Sequence, residues 1–148
     1  MKPDPGRFLE IAAQQLLGSI GPTLPPGYVQ SSVGLLAVML LEVKTELERA
    51  AARRVEENRA LRGLFATSVS VVTDAELRDR LDEASRGGDE SLLVSDLERG
   101  NAALRGLLIE LHAHVETLRA PAARNVEDAI WTELTASTER RRLALGPF

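Results

Sequence analysis

The sequence predicts an all-α protein, an antiparallel bundle of about five helices with two long ones over about 28–66 and 91–118. Three observations lead there. Apolar residues recur three and four apart instead of alternating, which is helical periodicity. Prolines crowd the first 26 residues and then stop until Pro121, so helices in the middle of the chain can run uninterrupted by proline. Periodic stretches open on cap-forming residues or proline, and two of them close on glycine.

Asp4 reads as an N-cap with Pro5 at the favoured first helical position. Phe8, Ala12, Leu16 and Ile20 then form a stripe four apart. Gly18, Gly21 and Pro22 end this helix, and Gly21–Gly27 forms a stiff Pro/Gly-rich connector, so 1–27 is one helix plus its linker. The second helix starts near Tyr28. Its stripe is Leu36, Leu40, Val43, Leu47 and Ala51, then Leu61, Phe65, Val69 and Val72. The β-branched run Thr67–Val72 weakens its end. Thr73 and Glu76 read as a capping box that opens a short third helix with Leu77, Leu81 and Ala84, closed by Gly87-Gly88. The fourth carries Leu93, Leu97, Asn101, Leu104, Leu108, Leu111, Val115 and Leu118. The fifth begins at Pro121 with Val126, Ile130 and Leu134, and Trp131 beside them. The apolar tail 143–148 is expected to dock on the bundle or on a partner.

At 148 residues the chain suits a single domain, 1–148, and its 44% apolar content is enough for a core. A straight helix over 28–66 would be roughly 55–60 Å long, against roughly 40 Å for the diameter of a compact domain this size. It therefore either breaks near Ala51–Arg54 or overhangs the monomer. The expectation is a homodimer that covers the overhang.

Composition removes several function classes. A net charge of -4 argues against nucleic acid as partner, and Arg140, Arg141 and Arg142 read as complements to a helix C-terminus. The absence of cysteine excludes disulfides, thiolate nucleophiles and cysteine zinc sites, and fits a cytoplasmic location. The longest apolar run, Val33–Leu41, is nine residues, too short to span a membrane. No Gly-x-Ser-x-Gly elbow occurs, and Ser85–Asp89 lacks the Gly-Lys-Ser/Thr ending of a phosphate loop.

Asn58–Leu64 recurs as Asn101–Leu107, identical at six of seven positions. Duplication of a helical segment and coincidence in a chain rich in Ala, Leu and Arg are both open readings. Gly63 and Gly106, which match in the two copies, suggest either close helix approach or exposed helical glycine.

The stripes carry one chemically odd level. Arg54 and Asn58, four apart, interrupt the second helix, and Asn101 interrupts the fourth. All three point inward if the stripes are core, and buried polar groups require partners. Glu57, Asp96 and Glu98 are the nearest candidates for Arg54. One reading is a polar layer that sets helix register. The other is a pocket for a small acidic ligand, with Arg54 as anion anchor. His112 and His114 point to nearly opposite sides of a helix; His112 with Glu116, and Glu110 with His114, each make half a metal site, with no ligand evident from a second helix. No metal and no cofactor are expected. The sequence thus reads as a non-catalytic bundle acting through protein–protein association, with a ligand-binding protein or minor enzyme at Arg54, Asn58 and Asn101 as the alternative.

Overall fold

A computed structural model describes residues 4–142, and among these it holds five α-helices: α1 (Pro5–Gln15), α2 (Tyr28–Ser68), α3 (Ala75–Arg86), α4 (Val94–Thr117) and α5 (Pro121–Arg140). The fold is the all-α bundle expected, and no strand occurs among the described residues. The tail 143–148, expected to dock, lies outside the described residues. Two compact units are present, one holding residues 4–50 and the other 51–142.

In the first unit, Asp4 caps α1 by accepting a hydrogen bond from the Arg7 amide (3.2 Å), with Pro5 opening the helix. A π-helical turn (Leu16–Ile20) and a 3₁₀ turn (Gly21–Thr23) lead out of it. Gly27, at φ +150, closes the connector in a conformation open to glycine alone. Gln30 Nε2 donates to the Gly21 carbonyl (3.1 Å), tying the connector to the start of α2. Helix α1 meets α2 through small residues. Ala13 and Ala37 are buried, and a Cβ at Gly6 would lie 3.4 Å from Glu48 Oε1 and 3.7 Å from Lys44 Cγ. Lys44 Nζ and Glu10 Oε2 pair at 3.0 Å beside this contact. The predicted stripe of α1 is therefore not its packed face: Phe8 is 65% exposed and Ile20 45%, while Gly6 and Ala13 are buried. Small side chains let two helices approach closely, and the large ones are displaced to the flanks.

The second unit holds the main core. Leu61, Leu64, Phe65 and Val72 from α2 and the turn after it meet Leu77 and Leu81 of α3. Leu104, Leu107, Leu108, Leu111 and Val115 of α4, and Ala123, Val126 and Ile130 of α5, complete it. Helix α2 is helical at every residue, Ala51–Arg54 included, and ends at Ser68, where the β-branched run begins to turn. The cap of α3 is Asp74, whose side chain accepts from the Leu77 amide (2.8 Å), one residue later than the predicted Thr73. Thr73 instead directs its amide and hydroxyl at His114 Nε2, both at 3.2 Å. Asp competes well for an N-cap, and a tertiary partner draws Thr73 away. Helix α4 starts at Val94, three residues after the predicted Ser91, whose hydroxyl accepts from the Leu93 amide (3.1 Å) in the preceding loop. The three-residue link Leu118–Ala120 makes α4 and α5 an antiparallel pair, with Pro121 opening α5.

Gly63 and Gly106 do not serve close approach. A Cβ at either would meet nothing within 4 Å, so both are exposed helical glycines.

Candidate functional site

The odd level read from the sequence is a buried polar layer in the second unit. Helical spacing brings Arg54, Glu57, Asn58, Leu61 and Leu64 onto the inward side of α2, so the polar level sits one turn before the apolar core. Asn58 is fully buried, Asn101 and Glu57 are 1% exposed, and the Arg54 side chain is 16% exposed.

Glu57 is the hub. Arg141, at the end of α5, grips it with both arms of its guanidinium, Nε to Oε1 and a terminal nitrogen to Oε2, each at 2.7 Å. Ser137 Oγ donates to Oε1 (3.1 Å), Asn101 Nδ2 to Oε2 (3.3 Å), and Arg54 to Oε2 (3.4 Å). Burial pushes this carboxyl upward, but the hydrogen bond and charge of Arg141, the Ser137 hydroxyl and the charge of Arg54 outweigh it and hold it at about 2.

The two asparagines pair with each other, Asn101 Nδ2 donating to Asn58 Oδ1 at 3.0 Å. Asn101 Oδ1 accepts from Arg141 (3.3 Å). Asn58 Nδ2 donates to Asp89 Oδ1 (2.9 Å) and to the Leu97 carbonyl (3.4 Å). Asp89, on the loop before α4, also takes Arg62 at 3.0 Å. Burial raises the Asp89 carboxyl, yet Arg62 and Asn58 hold it below its ordinary value. Arg54 pairs with Glu98 as well as Glu57, two of its three sequence candidates. On the far side, Arg105 donates to Ser137 Oγ (3.2 Å), and Arg140 pairs with Glu133, whose carboxyl burial keeps raised.

No family model, curated protein or solved structure matches this chain. Its chemistry therefore rests on its own geometry. The layer joins α2, α4, α5 and the Asp89 loop, and both amides of the asparagine pair have their donors and acceptors occupied. The space between Glu57, Leu61, Asn101, Arg105, Glu133 and Ser137 is too small for a water molecule. Beside the layer an open cleft of about 500 Å³ is lined by Arg62, Gly88, Asp89, Asp96, Leu97 and Gly100. A carboxylate held near 2 and gripped through both oxygens is a poor base at neutral pH.

Arg54, Asn58 and Asn101 are thus brought together as the sequence places them. What the sequence reading missed is Glu57 as hub, with Arg141, Ser137 and Asp89 as its surroundings. Glu57 carries a signal, since Glu57, Leu61, Leu64 and Ser68 fall four, three and four apart on one face. Arg141 carries none, because at a helix end it looks like any dipole-complementing arginine.

The repeat is structurally paired. Asn58 and Asn101 bond each other, Leu61 and Leu104 share the core with Leu64 and Leu107, and Arg62 and Arg105 each reach a polar partner of the layer.

Proposed function

We propose that this chain is a non-catalytic helical-bundle protein that works by association with a second copy of itself, with the Arg54/Asn58/Asn101 level serving as an internal latch. The observation that carries the reading is the bare seam on α2 in the first unit. Val29, Leu36, Met39, Val43 and Leu47 are between 52% and 61% exposed and share one side of the helix. With the half-buried Val33 and Leu40, the positions 29, 33, 36, 40, 43 and 47 alternate four and three apart, a seven-residue repeat. Such a seam fits another seam of the same kind, which makes a second copy its natural occupant.

Magnitude sets the strength of this dimer. Fully burying one such side chain is worth about 1.5–3 kcal/mol, so half-exposed ones contribute about 1 each. Ten of them across two copies give about 10 kcal/mol, against an association cost of roughly 4–15. The dimer is a weak, reversible one. Sedimentation velocity across the micromolar range is expected to show concentration-dependent dimerisation, abolished by Leu36→Glu with Val43→Glu while helicity is kept. A wild-type chain that stays monomeric throughout sinks the proposal.

The latch reading is supported by the protein partners that Arg54, Asn58 and Asn101 already hold. A small acidic ligand at those residues, or a minor enzyme built on them, is the alternative. A thermal-shift screen against carboxylates and phosphates separates the two. On the latch reading no ligand stabilises the wild type more than Arg54→Met.

A further inference from the structure

Helices α4 and α5 bring together three side chains that the polar layer does not use. His112 and Glu116 stand four apart on α4, and Glu127 comes from α5. One donor atom from each lies within 4.8 Å of the others. This supplies the ligand from a second helix that the sequence reading lacked.

The imidazole is held in an unusual way. Its Nε2 is shielded from solvent and accepts or donates no hydrogen bond. Glu116 Oε1 stands 3.6 Å away, beyond hydrogen-bond reach. The ring meets Trp131 edge to face, centroids 5.5 Å apart and planes at 88°, which restrains its orientation. Trp131 lies one turn after Glu127 on α5, so the residue that orients the imidazole and the third donor share a face.

We propose that His112, Glu116 and Glu127 hold a divalent transition-metal ion of the zinc class. Zinc sits about 2.0–2.1 Å from imidazole nitrogen and about 2.0–2.2 Å from carboxylate oxygen, which spaces two donors on a tetrahedral ion about 3.3–3.5 Å apart. The His112–Glu116 separation of 3.6 Å is close to that edge. Drawing donors that lie within 4.8 Å of one another to that edge takes at most about 1.5 Å, within reach of Glu116, whose side chain is 57% exposed. Two carboxylates neutralise the dication, and imidazole selects zinc over magnesium or calcium. Three protein donors leave a fourth position for water.

The test is titration of the full chain with Zn²⁺ in a non-chelating buffer by calorimetry, with Co²⁺ as a visible-absorption probe of tetrahedral geometry. One ion per chain, a rise in Tm and tetrahedral cobalt bands are expected. Glu127→Gln and Glu116→Gln each weaken binding at least about tenfold with the apo-protein Tm unchanged. His114→Gln, whose ring is engaged by Thr73, leaves binding as it is. Absence of one-to-one binding, or binding that survives Glu127→Gln or is lost in His114→Gln, overturns the proposal.

Discussion

Arg141 and Glu57 form a bidentate pair in which one partner is buried and the other keeps a third of its side chain in water. Removing the arginine leaves a buried carboxylate with Arg54 at 3.4 Å as its remaining charged partner, whereas removing both partners removes the buried charge and leaves the Ser137 hydroxyl and the Asn101 amide short of an acceptor. Arg141→Met is therefore expected to lower unfolding free energy by about 2–4 kcal/mol in urea denaturation. The double variant Arg141→Met with Glu57→Met should recover part of that loss, and additive losses would contradict this account. The inward placement of Arg54, Asn58 and Asn101 was legible because each interrupts an apolar period. Arg141 was not, since its partner lies 84 positions away and no local pattern records so long a pairing.

Helix α2 shows what periodicity can and cannot report. Its apolar spacing is helical along both halves, yet Leu61 and Phe65 are buried while Leu36, Val43 and Leu47 are more than half exposed. A stripe declares which face is apolar but not what covers it. The same holds for α1, where the visible stripe of large residues gave way to Gly6 and Ala13, because close packing rewards the smallest side chains. Helix starts at Pro5 and Pro121 were legible to the residue, because proline and its neighbours act locally. At this scale the paired glycines offer a direct experiment. Gly63→Ala and Gly106→Ala each place a methyl in open space on a helix, and each is expected to stabilise the protein by about 0.5–1 kcal/mol. Thermal or urea denaturation reads this, and additivity is expected because the two positions share no packing partner. A loss of stability in either would mean the bare glycine face is needed elsewhere.

The protein as a whole should carry an acid limb set by its buried carboxylates. Glu57 and Asp89 are both held below their ordinary values. Their stabilisation is complete above the unfolded carboxylate range and is lost as pH falls through the folded values, about 2 for Glu57. Glu133 acts with opposite sign. Raised by burial, it favours the folded state at low pH and withdraws that support as pH rises through its folded value. The urea midpoint is therefore expected to change little from neutrality to about pH 5 and then to fall toward pH 2. The Arg141→Met, Glu57→Met double variant should lose much of that fall, and an unchanged acid limb would exclude Glu57 as its main source.

The grip of Arg141 on Glu57 also has a meaning in time. A ribosome delivers Glu57 long before the arginine that neutralises it, with 83 residues synthesised between them. Until the end of α5 emerges, closing α2 and α4 over that carboxylate would bury a charge met by Arg54 and the Asn101 amide but lacking its bidentate partner. The growing chain is thereby discouraged from sealing its core early. A polypeptide that stops at residue 140 lacks the bidentate partner of Glu57, so the residue that caps α5 is also the one that completes the pairing of the buried carboxylate.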